Sequence, residues 1–232
     1  MVNGVHVFSV PELSEREFWV ARTGVGLEKA SRVASRLLQE QPFRLVVSTG
    51  FACALIPAHI GDLVAGHAVT SMRAQASEFT RVVSVAGADQ NWLFLFAKTV
   101  IPSDRIGTFI SVDRIIGRAA EKQHYARLTG AIALDMESGA LAMAAAGVQV
   151  PFLIVRSISD LVEEELPLDF NLFLRPTGWF KGFAAIVAMP SRLMGLGRLH
   201  RQSVTAAKSL TTFFQHCLNV TTIQANRHPS AS

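Results

Sequence analysis

Only two cysteines, Cys53 and Cys217, occur in the 232 residues. Two are too few for a disulfide framework, and they lack metal-ligand spacing. A reducing, cytoplasmic setting is expected, with no metal. Charge is also scarce. Asp, Glu, Lys and Arg make up 17% of the chain against 50% hydrophobic residues, which excludes a disordered composition. No apolar run reaches ~18 residues, so no transmembrane helix is expected. A basic segment leading into an apolar core is missing at the N-terminus, so no signal peptide is expected. After Gly24-Val25-Gly26 the third glycine of a dinucleotide fingerprint is missing, so no such cofactor is expected. Acidic residues are absent beyond Asp169, whereas Arg175, Lys181, Arg192, Arg198, Arg201, Lys208 and Arg227 follow. An anionic membrane surface or an acidic partner suits this block, and so does a solvated helix face. Nucleic acid suits it least, because no stacking aromatics are interleaved with the basic residues.

The most informative stretch is Ala133 to Asp160. Leu134 leads into Asp135-Met136-Glu137-Ser138, and the small residues from Gly139 to Ala146 suit a tightly packed helix. Gly147 is expected to end that helix as a left-handed cap. The apolar run Val150 to Val155 reads as a parallel strand buried on both faces. It continues into Arg156-Ser157-Ile158-Ser159-Asp160. Ligands of open α/β sheets sit at the carboxyl ends of strands, which makes Glu137 and Asp160 the first candidates for chemistry.

Other elements follow from periodicity and turn signals. Strands are expected over Val2 to Val10 and Phe18 to Thr23, paired as a hairpin. Further strands are expected over Phe43 to Thr49, at Ile60 to Val64, over Arg81 to Ala86 and over Gly107 to Val112. Helices are expected over Leu27 to Gln39 and Arg118 to Leu128, while Trp92 to Lys98 is ambiguous between helix and strand. The acids Glu163, Glu164 and Glu165 read as a solvated loop. A basic, partly apolar helix runs from Ser191 to Leu210 and could lie on a membrane surface. The chain reads as one domain over residues 1–218, its basic helical region beginning near 181, with a flexible tail over 219–232.

Two blocks, Asp135-Met136-Glu137-Ser138 and Val150-Pro151-Phe152 with Val155-Arg156 and Ile158-Ser159-Asp160, carry a resemblance to a known family. The chain resembles the nucleoside phosphorylase and nucleosidase superfamily, above all the methylthioadenosine/S-adenosylhomocysteine nucleosidases and the hopanoid-associated phosphorylases. The resemblance implies an α/β single domain, three-layered α/β/α with a mixed central sheet and without the first strand. It implies cleavage of the N-glycosidic bond of an adenosine-type nucleoside, with Asp160 as the acid that protonates the purine. Glu137 would hold the ribose hydroxyls, Met136 would pack on the sugar, and Ser159 would orient the acid. Ile115 or Ile116 would wall the base slot, and Phe51 and Ala52 would lie beside the sugar or an attacking group. Phe51 replaces a hydroxyl that could bind phosphate, which favours water as acceptor, although Phe51 also reads as plain core. Arg156 reads as structural, paired with an acid across the sheet. The implied partners are a small-molecule nucleoside, phosphate, and a second copy of the chain. Two alternatives stay open: an adenosylhopane-cleaving enzyme, and a nucleoside-binding relative without turnover. The family's water-activating Glu follows an opening strand that is missing here, and Glu12, Glu15 and Glu17 fall in the hairpin turn instead. A chain of this length is therefore expected to expose a sheet edge and to be unstable or nearly inactive.

Overall fold

The computed structural model describes residues 7–10, 18–72, 79–84, 90–167, 169–171 and 191–227. Residues 12, 15 and 17, the expected turn at 87–89 and the apolar run at 183–189 lie outside them. Strands β1 (Val7–Val10) and β2 (Phe18–Ala21) pair antiparallel, as their alternation suggests. They form a two-stranded sheet of their own, fastened by Trp19 against Phe43 and Phe18 against Trp92. Helix α1 (Leu27–Glu40) follows the glycine turn.

The main sheet contains β3 (Val46–Ala54), β4 (Leu63–Met72), β5 (Phe79–Ser84), β6 (Ile106–Val112), β7 (Ala133–Asp135) and β8 (Phe152–Asp160), in the order β5-β4-β6-β7-β3-β8. It is mixed. β3 runs parallel to β8 and antiparallel to β7, and β6 runs parallel to both its neighbours. The residues 63–66 of β4 also pair antiparallel with β8, while residues 68–72 pair with β5. The ring β4-β6-β7-β3-β8 therefore closes on itself. The bare edge expected from a missing strand is not seen in this ring, because β4 takes the free side of β8. The buried run of β8 is parallel on one side only, since a second, antiparallel neighbour also keeps it from water.

Side chains alternate across β8 and separate the layers. Phe152, Ile154 and Ile158 face α1 and α4 (Ser138–Gly147), meeting Ala30, Ala34, Ala140, Ala142 and Ala145. Leu153 and Val155 face α2 (Trp92–Val100) and α5 (Ser191–Arg227), meeting Phe94, Ala97, Phe213 and Cys217. The small residues of α4 let it approach the sheet closely. Its end differs from expectation: Gly147 is still helical, and Gln149 is the residue with positive φ. The ambiguous run at Trp92 is a helix because Asn91 caps it, its side chain accepting the N–H of Leu93 at 3.0 Å.

Helix α5 runs past Asn219 to Arg227, through part of the stretch read as a loose tail. Its inward face carries Gln202, Ala206, Phe213 and Cys217 at spacings near a helical repeat. Arg198, Arg201 and Lys208 face outward. Phe213 and Cys217 pack in the core against the sheet, whereas Val204, within the part of the helix read as membrane-facing, is 41% exposed. Among the described residues no helix is long and apolar enough to cross a membrane.

Candidate active site

Two polar clusters form on either side of β3. In the strand register Cys53 has Leu134 of β7 on one side and Asp160 of β8 on the other. At one strand spacing each, the ends of β7 and β8 stand ~10 Å apart across β3. The stretch ending in Glu137 and the strand ending in Asp160 are therefore brought together, although β7 and β8 run in opposite directions. The carboxyl-end rule for parallel sheets did not have to hold here. The short β7 simply stops at the level where β8 ends.

The first cluster centres on Arg156. Its Nη2 lies 3.0 Å from Oδ2 of Asp135 and 3.4 Å from Oε2 of Glu137. It also donates to Oγ of Ser48 at 2.9 Å and of Ser138 at 3.2 Å, while Nη1 donates to the carbonyl of Phe51 at 3.0 Å. Room for this guanidinium comes from Gly50, where a Cβ would lie 3.0 Å from Nη1. Asp135 is fully enclosed and ties the start of α4. It accepts the N–H groups of Glu137 and Ser138 at 3.2 and 3.1 Å and the hydroxyls of Ser111 and Ser138. Arg156 is therefore structural and paired across the sheet, as its sequence context suggests, but it also anchors Glu137.

Glu137 stands at the N-terminus of α4 with a side chain 16% exposed. Its Oε1 accepts the N–H of Gly26 at 2.9 Å. Gly26 has φ 100° and ψ 157°, a conformation open essentially to glycine alone. The glycine turn before α1 thus aims a backbone donor at the carboxylate 111 residues away. Burial pushes the proton affinity of Glu137 up, with Asp135 adding to it, against the opposing pull of Arg156 and the Gly26 N–H. Raised affinity in the folded chain means that the unfolded chain ionises first as pH rises. Stability from this group is complete below the ordinary glutamate range and is lost as pH climbs through the raised value. Glu137→Gln does not titrate. Its melting temperature, relative to the unmodified protein, is expected to climb as pH rises from the ordinary glutamate range upward. A gap that stays constant in calorimetry across that range would contradict the raised affinity.

The second cluster centres on Lys122 of α3 (Ala119–Thr129). Its Nζ lies 2.8 Å from Oδ2 of Asp160 and donates to the carbonyls of Leu161 at 3.1 Å and Glu164 at 2.9 Å. Asp160 keeps 15% of its side chain exposed, and the Ser159 hydroxyl donates to its Oδ1 at 3.3 Å. Cys53 sits beside this pair. Burial raises its thiol well above the usual range, and the charge of Asp160 adds to this. Of the three adjacent acids, Glu164 is not simply solvated: its carboxylate accepts Nε2 of Gln202 at 3.0 and 3.1 Å.

The remaining predicted site residues divide. Met136 is buried next to Glu137. Phe51 is 41% exposed and so is not core. Ala52 is packed among the alanines of α1 and α4. Ile116 is 3% exposed, packed with Val112, Tyr125 and Leu134, and presents no wall to a ligand. Ile115 does line a cleft of about 840 Å³, with Arg114, Arg118, Glu121, Leu166 and Asn171. The carboxamide of Asn171 accepts the N–H of Ile115 at 2.8 Å and donates to its carbonyl at 2.9 Å. Neither Glu137 nor Asp160 lines this cleft, so the hollow lies to the Ile115 side and not over the carboxylates. The cleft carries polar groups of its own, among them Glu121 and His124. Among the described residues no group of His, Cys, Asp or Glu could hold a metal ion.

Lys122 and Asp135 carry contacts that sequence reasoning passed over. Lys122 had a signal: it shares the inward helical stripe with Tyr125 and Thr129, where a lysine needs a partner. Asp135 opens the Asp135-Met136-Glu137-Ser138 block, and its enclosure depends on Arg156 and Ser111, distant in sequence.

Comparison with known proteins gives a consistent picture. Residues 2–176 match the family described as the phosphorylase superfamily. The 5′-methylthioadenosine/S-adenosylhomocysteine nucleosidase of Staphylococcus aureus is 28% identical over 174 residues, covering 70% of this chain and 76% of that protein. The Staphylococcus epidermidis enzyme of that name is 27% identical, covering 75% and 82%. Among solved structures, a mutant Helicobacter pylori nucleosidase with 5′-methylthioadenosine in its active site aligns with TM-score 0.60 at 18% identity, covering 92% of this chain and 90% of that one. The futalosine hydrolase of Helicobacter pylori aligns with TM-score 0.60 at 16% identity, covering 92% and 89%. At these identities the structural likeness speaks for the fold.

Proposed function

Given that the chain belongs to the phosphorylase superfamily, we propose that it cleaves the N-glycosidic bond of an adenosine-type purine nucleoside and releases adenine. The observation that supports this most is the placing of two partly exposed carboxylates, Glu137 and Asp160, on either side of β3, each held by a buried cation. Breaking the bond leaves positive charge on the sugar and would leave negative charge on the base. Proton transfer to the purine ring lets the base depart neutral. Asp160 is the acid for that transfer, and Ser159 steadies its second oxygen. Glu137 accepts the ribose hydroxyls and offsets the developing charge on the sugar, with Met136 packed beneath. Ile115 walls the base side.

The relatives named for methylthioadenosine and S-adenosylhomocysteine favour a 5′-thio substituent, while exposed Phe51 also suits a larger apolar 5′ group such as a lipid-linked adenosine. Purified protein is to be given methylthioadenosine, S-adenosylhomocysteine and an adenosine with an apolar 5′ tail, with and without phosphate. Released adenine and the sugar product are measured by chromatography. Adenine from at least one substrate is the expected result, with free sugar marking water as acceptor and sugar 1-phosphate marking phosphate. Binding of adenine without release from any of the three would leave a nucleoside-binding protein in place of an enzyme.

A further inference from the structure

Among the described residues, Lys122 is the one buried lysine, with 0% of its surface exposed. Burying an ammonium group is costly unless charge and hydrogen bonds compensate it. All three of its donors are satisfied, one by Oδ2 of Asp160 and two by the carbonyls of Leu161 and Glu164. Those carbonyls belong to the segment that leaves β8, so the lysine holds both the carboxylate and the chain it stands on.

We propose that Lys122 is a positioning residue for the proton donor, fixing Asp160 through Oδ2 and presenting Oδ1 to the substrate. This rests on the reading of Asp160 as the acid. In the step itself, the proton passes from Asp160 to a purine ring nitrogen. The bond between the base and C1′ breaks with its electron pair going to the base, and water or phosphate bonds to C1′ of the ribosyl cation, the proton of an attacking water passing to solvent. A carboxylate remains at Asp160. The ammonium, already 2.8 Å away, meets that charge as it forms without reorganising. The groups facing Asp160 are Lys122 from α3, the Cys53 thiol from β3 and the Ser159 hydroxyl from β8. The carboxylate of Glu164 is turned to Gln202 instead.

A lysine that only tethers the segment after β8 would act through its hydrogen bonds, whereas the proposed role acts through its charge. Lys122→Met removes both, and Lys122→Gln keeps donors while removing the charge. Adenine release is followed against pH for both variants, for Asp160→Asn and for the unmodified protein. The expected result is a fall of about tenfold in kcat at the plateau, little change in KM, and an alkaline limb moved up by about 1–3 pH units in both variants. An alkaline limb left in place in Lys122→Gln, with Asp160→Asn inactive, overturns the role of Lys122 and spares the proposed function. Full activity of Asp160→Asn, or no turnover by the unmodified protein, overturns the function and this inference with it. If Lys122→Met does not fold, Lys122→Gln carries the test. Failure of both to fold would mark the lysine as a purely structural one.

Discussion

Asp160→Asn is expected to lower kcat for adenine release by about 10²–10⁴-fold, the usual worth of a positioned general acid. The substitution keeps size and shape. Asparagine still offers a carbonyl oxygen to Lys122 Nζ, which lies 2.8 Å from Oδ2, and its amide NH2, in the place of Oδ1, can donate to the Ser159 hydroxyl. What it cannot do is surrender a proton to the leaving base. KM should change little, since the proposed function gives the sugar contacts to Glu137. The buried ammonium loses its counter-charge, so the melting temperature also drops, and rates are to be compared well below it. A variant that keeps kcat within about threefold of the original would remove Asp160 from the acid role.

The second large effect concerns stability. Arg156→Met is expected to cost about 3–5 kcal/mol, the usual penalty for leaving one member of a buried pair behind. Asp135 is wholly enclosed, and Arg156 nearly so. With the guanidinium gone, Asp135 keeps its hydroxyl and amide donors but no cation, and Glu137 loses its nearest positive charge. Urea unfolding is the measurement. The double variant Asp135→Asn/Arg156→Met should recover part of the loss, because it removes the stranded charge together with its partner. A loss below about 1 kcal/mol for the single variant would show that water reaches this cluster and screens it.

Much of this architecture could be read from local pattern. The apolar run of β8, the small residues of α4 and the amphipathic stripe of α1 each announce an element and its neighbours. The acids at 137 and 160 were legible because their spacing placed each one just after a strand. Other features depended on partners distant in sequence. β3 extends past the expected end at Thr49 through Gly50 to Ala54, because β8 and, at its end, β7 supply hydrogen bonds. Ile116 looked free to meet a ligand, yet Tyr125 and Leu134 close over it. The ring closure of β8 onto β4 depends on register between strands about ninety residues apart, and no local signal encodes that. Lys122 escapes a local reading for a related reason. A lysine reads as solvent-facing until the acid and two carbonyls that enclose it are placed in space.

The position of Cys53 between the ends of β7 and β8 makes its thiol a natural gauge. It is 5% exposed and strongly disposed to stay protonated, so an alkylating reagent gains access only when the flanking strands part. Such parting would also separate the acid at residue 160 from Glu137. The rate at which this sulfur becomes modified thus clocks how often the catalytic arrangement comes undone, and ligands that bridge the two sides should slow that clock.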